Sequence, residues 1–175
     1  MAILQHFNFG VNINPPPPTG SQINVNVSPL MLQLFGFNIP VEILTATADR
    51  QPPSPLPLNS IIVMAHVDTG ASITSIDISL AEHLNLEATG ELTNITAGGA
   101  KDMPRFAIDL CFPNTKLSPF INLGIGSCNL VTFNIQQCLL SPHNPQNFGI
   151  LIGRDVLSRW NLVWNGPSST IIISD

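Results

Sequence analysis

Asp68-Thr69-Gly70 puts a carboxylate, a hydroxyl and a glycine into one tight turn, directly after the apolar run Ile61-Ile62-Val63-Met64-Ala65 and Val67. A carboxylate held in such a turn, at the end of an apolar strand, is suited to acid–base work on a water molecule. One carboxylate cannot do both halves of that work. Hydrolysis of an amide by this route needs two, close enough to share a proton. The chain holds one Asp-Thr-Gly and no second copy, so either two chains meet at Asp68 or the turn is not catalytic. Read alone, the tripeptide also fits an ordinary Asx turn.

The neighbours of the turn strengthen the chemical reading. Ala71 and Ser72 continue it, and Thr74 follows at a short offset. A second pattern lies far downstream, Ile150-Leu151-Ile152-Gly153-Arg154-Asp155-Val156-Leu157, in which an apolar run enters a glycine and an apolar helix begins. Gly153 is expected to let its strand pass close under the Asp68 turn, where any Cβ would collide. Arg154 is expected to tie backbone or carboxylate groups of neighbouring segments together through its planar fork. Asp155 is expected to cap the helix that follows, a structural role.

The pairing of Asp68-Thr69-Gly70-Ala71-Ser72 with Ile152-Gly153-Arg154-Asp155-Val156-Leu157 resembles the retropepsin-like aspartic proteases, single-domain homodimeric relatives of the viral proteases. The resemblance covers roughly residues 60–175. It implies an all-β, closed barrel of the acid-protease kind with one or two short helices, working as an obligate homodimer. It implies an endopeptidase in which Asp68, Thr69 and Gly70 of both subunits form the catalytic centre, with no metal or cofactor. Ala71 and Ser72 would contact substrate, as would a flap at Ala97, Gly98, Gly99 and Ala100. Thr74, Gly153, Arg154 and Asp155 would support the turn. The last strand, Thr170 to Ser174, would join a sheet between subunits. Many viral members carry an acidic residue after the alanine to pair with the arginine; Ser72 stands there, so Arg154 needs other partners. The chain has no tyrosine, which excludes a flap tyrosine of the pepsin kind.

Composition sets the frame for these motifs. In 175 residues there is room for one domain with an extension. Hydrophobic residues make up 44% and charged residues only 10%, enough for a sizeable core but too little charge to coat a monomer, so apolar surface between chains is expected. A net charge of −5 with six Lys and Arg argues against nucleic acid as a partner. No apolar stretch is long enough for a membrane span, and Met1 to Gly10 lacks the basic and apolar blocks of a secretory signal. A cytoplasmic protein follows as the expectation, with Cys111, Cys128 and Cys138 as reduced, mostly buried thiols. The Asn94-Ile95-Thr96 sequon carries no weight in that setting.

The elements that must position the site are mostly short strands. Residues 1–58 are expected to form a Pro-rich extension, broken by Pro15 to Pro18 and by Pro52, Pro53, Pro55 and Pro57, with strands at 22–27 and 41–45. Residues 59–175 are expected to form the protease domain. Within it, strands are predicted at 61–67, 72–76, 93–96, 104–112, 120–123, 129–135, 149–152 and 169–174. The segment 97–102 reads as a hairpin tip. Ser79-Leu80-Ala81-Glu82 has capping-box spacing, which predicts a short helix at 79–84 begun by Ser79. One or two further helical turns are predicted at 155–160.

Three other readings compete with this one. A catalytically silent dimer of the same fold could bind peptides or assemble complexes, but would have no physical need for the Asp68 carboxylate. A metal-dependent hydrolase using His6, His66, His83 or His143 lacks any ligand spacing, and His66 reads as a packed or hydrogen-bonded histidine. A nucleotide-binding reading of Gly124-Ile125-Gly126 fails because Asn129 takes the place of the third glycine.

Overall fold

The computed structural model describes residues 23–26, 29–46, 60–96, 99–113, 117–165 and 170–175. Two sheets share its strands. The larger takes β2 (Asn38–Thr45), β3 (Ser60–Val67), β4 (Ser75–Asp77), β5 (Ala88–Thr96), β6 (Gly99–Cys111), β7 (Phe120–Cys128) and β8 (Phe148–Ile152). Their order is β2-β3-β8-β4-β7-β6-β5, and a further pairing of β2 with β6 closes six of them into a barrel. The smaller sheet orders β1 (Ile23–Asn26), β10 (Thr170–Ser174) and β9 (Asn161–Asn165) as β1-β10-β9. The described residues also form four short helices: α1 (Pro29–Phe35), α2 (Ile78–His83), α3 (Ile135–Leu140) and α4 (Arg154–Leu157). The all-β closed-barrel expectation therefore holds, with more helices than foreseen.

Closure explains the burial pattern. Six consecutive residues of β2, Ile39 to Leu44, are buried, because the strand is paired with β3 along its length, with β6 from Glu42 onward, and covered on both faces. Residues 38–45, inside the stretch read as an extension, are thus a barrel strand. Prolines sit where a ladder has a free edge. β2 meets β6 only from Glu42 onward, so Pro40 has a neighbour on one side alone. Pro104 pairs with Glu91 of β5, and the β7 ladder begins one residue later at Arg105. The core runs through the barrel as Val41, Ile43, Val63, Ala65, Ile76, Leu80, Ile108, Leu110, Ile125, Ile150 and Ile152, and reaches the small sheet through Ile171 and Ile173. Phe112, Phe120 and Trp160 meet edge to face at one end, with ring centroids 5.0–6.2 Å apart.

Several local expectations are corrected. The helix at 78–83 is begun by Asp77, not Ser79: the Asp77 carboxylate accepts the Ser79 amide at 2.9 Å and also the Leu130 amide at 2.7 Å. Residues 72–74 are not strand, because Thr74 turns its amide toward Asp155 rather than into a ladder. Residues 129–134 form turns before α3, not a strand. Asn134 caps that helix by accepting the Gln137 amide, and buried Asn147 grips both backbone groups of Asn134. The hairpin arms extend to Thr96 and Gly99, which are paired, so residues 99–102 belong to β6 and only 97–98 remain between the arms. Thr93 and Asp102 bond across the arms at 2.7 Å. The proline tracts, His6, Ala97 and Gly98 lie outside the described residues.

Candidate active site

Two parallel strands carry the site. β3 and β8 pair from Met64–Phe148 to Val67–Ile152, and the ladder runs one bond further, from the Asp68 amide to the Ile152 carbonyl at 3.0 Å. The Asp68 turn thus leaves one strand beside the point where Gly153 leaves the other. Asp68 is half-buried, while Thr69, Gly70 and Ser72 are exposed at the tip. Asp68 Oδ1 accepts the Gly70 amide at 2.8 Å, and the Ala71 amide closes the turn on the Asp68 carbonyl at 3.2 Å. Among the described residues no donor reaches Oδ2. One carboxylate oxygen is anchored and the other is open.

Arg154 finds its partners on the turn itself. Nη1 donates to the carbonyls of Thr69 at 3.1 Å and Gly70 at 3.2 Å, and its backbone amide donates to the Ala71 carbonyl at 3.0 Å. Three successive carbonyls are held from one residue, so no acidic residue at position 72 is needed. These charge-assisted bonds fix which way the turn faces.

Beneath them, Thr74 and Asp155 lock the two motifs together. The fully buried Thr74 hydroxyl donates to Asp155 Oδ1 at 2.7 Å and accepts the Gly153 amide at 3.1 Å. The Thr74 amide is shared between both Asp155 oxygens at 2.9 and 3.0 Å. Asp155 is therefore not the helix cap: Gly153 occupies that position, and the carboxylate serves Thr74 and the Val156 amide. Gly153 is required by a close approach, as expected, but the segment above it is Ile73–Thr74 rather than the Asp68 turn. A Cβ there would sit 2.5 Å from the Ile73 carbonyl carbon and 2.8 Å from the Thr74 nitrogen, both backbone atoms.

His66 lies two residues before Asp68. Its ring stacks on Phe148 with centroids 5.0 Å apart, and Nδ1 lies 2.7 Å from Asn38 Oδ1. Burial lowers its pKa from the usual value of 6.5, opposed in part by the Asp68 charge. Gly36, which ends α1 at φ +66°, makes room for this ring: a Cβ there would lie 2.5 Å from His66 Cε1. His66, Phe148, Thr132, α1 and the segment before β8 line an open cavity of about 640 Å³, which no motif of the sequence announces. Its available signal was the two-residue spacing from His66 to Asp68, which places both on one strand face. Gly99 and Ala100 are exposed at the start of β6. No helix of the described residues is long and apolar enough to cross a membrane.

Comparison with known proteins agrees with the motifs. The sequence profile of the family described as aspartyl protease matches residues 55–156, well over half of the chain. No curated protein matches it. Similar solved structures include a retropepsin-like aspartic protease from Rickettsia conorii, 14% identical with a TM-score of 0.47 over 96% of each chain. Another is the retroviral protease-like domain of Ddi1 from Leishmania major, 14% identical with a TM-score of 0.39, covering 73% of this chain and 80% of that one.

Proposed function

The chain belongs to the aspartyl protease family, and we propose that it is a retropepsin-like endopeptidase whose active site forms when two copies bring their Asp68 turns together. The carrying observation is the state of the Asp68 carboxylate: Oδ1 is fixed by the Gly70 amide, Oδ2 has no donor among the described residues, and the turn around it is exposed. A single chain supplies one such carboxylate, so the second comes from a second chain.

At the twofold axis two carboxylates a few ångströms apart hold one proton between them. The ionised one takes a proton from a bound water, which attacks the scissile carbonyl. The protonated one donates to the carbonyl oxygen, giving a tetrahedral diol without a covalent enzyme intermediate. Collapse returns the protons, one to the leaving amine and one to the pair. Thr69 at the exposed tip contacts its counterpart, and Gly70 leaves the water accessible. Arg154 keeps the turn from relaxing once paired, so the donors and acceptors are preorganised. The substrate lies extended between Ala71 and Ser72 below and the β5–β6 hairpin above, with Ala97, Gly98, Gly99 and Ala100 as the closing flap. Low charge and apolar walls favour apolar residues around the cut.

Cleavage of a peptide library between pH 4 and 7 tests this reading, comparing the parent with Asp68→Asn. Cleavage by the parent alone is expected. Because the site is shared, excess Asp68→Asn subunit should also suppress the parent's activity through mixed pairs. Undiminished cleavage by Asp68→Asn would falsify the mechanism, and binding without cleavage by either protein would indicate a peptide-binding dimer.

A further inference from the structure

The cavity lined by His66, two residues before Asp68, contains a hydrogen-bond acceptor that no described residue uses. Period two along β3 places His66 and Asp68 on one face, with Cα atoms about 7 Å apart. Asn38 Nδ2 donates to the Pro145 carbonyl at 2.9 Å. A carbonyl can only accept, so the amide of Asn38 must face Pro145 and its Oδ1 must face the imidazole. Oδ1 in turn can only accept, which puts the ring proton on Nδ1. In the neutral ring Nε2 is then a bare acceptor. No donor among the described residues reaches it, and the atom keeps contact with solvent, so it is accessible. Leu32 and Leu34 from α1, Pro145 and the Phe148 ring make the walls mainly apolar, with Gln33, Thr132 and Gln146 as the polar part of the lining.

An extended peptide sets alternate side chains on one face at the same spacing of about 7 Å. A peptide centred on the Asp68 pair therefore places a side chain next to the scissile bond within reach of this cavity. Resting on the peptidase reading, we propose that the cavity is a subsite flanking the cut, and that His66 Nε2 makes it select aromatic residues with a donor at the tip, tyrosine or tryptophan, over phenylalanine. The ring of such a residue packs against Phe148 and the leucines, and its O–H or N–H donates to Nε2. Phenylalanine fills the same walls but brings no donor to Nε2.

The test uses peptides that differ only in tyrosine, tryptophan or phenylalanine at the residues flanking the cut. For the parent, kcat/KM should favour the donor-bearing residues by about 3- to 10-fold, the range of one neutral hydrogen bond. The ratio should fall as pH drops and Nε2 gains a proton, because it then donates instead of accepting. Among the described residues Asp68 is the ionisable neighbour of the ring; Gln33, Asn38, Thr132, Gln146 and Phe148, from the other elements around it, do not titrate. Effects of pH on the Asp68 pair act on all peptides and cancel in the ratio. His66→Phe, which keeps a stacking ring and removes the acceptor, should bring the ratio to one. Equal kcat/KM for tyrosine and phenylalanine peptides in the parent would overturn the proposal. Binding of the same peptides to full-length Asp68→Asn separates the two readings. Preference for tyrosine there, with no cleavage by the parent, sinks the peptidase and keeps the subsite; equal or absent binding sinks the subsite.

Discussion

Thr74→Val removes one oxygen from the interior and nothing else of size. That oxygen makes two bonds, to Asp155 Oδ1 at 2.7 Å and from the Gly153 amide at 3.1 Å. Loss of a hydrogen bond to a charged acceptor costs about 1.5–3 kcal/mol, and an orphaned buried amide about 1–3 kcal/mol. Thr74 is 0% exposed, so water cannot replace the hydroxyl and the two losses largely combine. A destabilisation of about 3–5 kcal/mol is expected, a large share of the roughly 5–15 kcal/mol that a domain has in total. Urea unfolding at one fixed protein concentration measures it, since association would shift the midpoint with concentration. Thr74→Ser retains the hydroxyl and should cost only about 1 kcal/mol for the lost methyl. In a double-mutant cycle with Asp155→Asn the two changes should couple by about 1 kcal/mol or more. If Thr74→Val cost under about 1 kcal/mol, or matched Thr74→Ser, the hydroxyl would not be the pin between the motifs.

Three further outcomes follow from the geometry. Gly153→Ala forces backbone apart at Ile73, so unfolding should show a loss of about 1–3 kcal/mol, and peptidase assays a drop near 100-fold from displacement of the turn. Burial pushes the Cys128 thiol up to about 12, with the Asp77 charge adding to it, and the Cys138 thiol up to about 11. Both should react with iodoacetamide at pH 8 roughly a hundred-fold or more slowly than unfolded thiols, as read by mass spectrometry of the native protein. His66 is depressed below 6.5 by burial, so the unfolded chain binds more protons just under that value. Stability should therefore be full above pH 6.5 and decline as pH falls toward the folded-state pKa. His66→Phe should remove that component from denaturation midpoints measured across the window.

What the sequence reveals and conceals divides along locality. The Asp68 turn, the entering strand and the glycine-arginine pattern are written in adjacent residues whose types restrict the backbone, so they could be read directly. The partners of Arg154 could not, because backbone carbonyls leave no mark in a sequence, and Ser72 gave no hint of where the guanidinium turned. The expected caps Ser79 and Asp155 give way to Asp77 and Gly153 for a similar reason. Either carboxylate can cap locally, but Asp155 is claimed by Thr74 across the fold, while Asp77 serves α2 and Leu130 at once. The segment before α3 has strand-like composition, yet Asn147 supplies the backbone partners that a neighbouring strand would have given Asn134. Its legible clue was the Asn134–Gln137 cap spacing. Helix α1 was hidden among prolines, although Pro29 and Gly36 are suitable first and last residues for it.

The aromatic corner has a practical consequence. With no tyrosine in the chain, near-ultraviolet emission belongs to two tryptophans alone. Trp160 is locked against Phe112 and Phe120 inside the barrel end, while Trp164 stands 52% exposed on β9, at the border of the small sheet. Loss of the fold shows as a red shift of the first, and docking of another molecule along β9 as a blue shift of the second. The protein therefore carries separate optical gauges for its integrity and for contact at that border, and replacing either indole isolates the other.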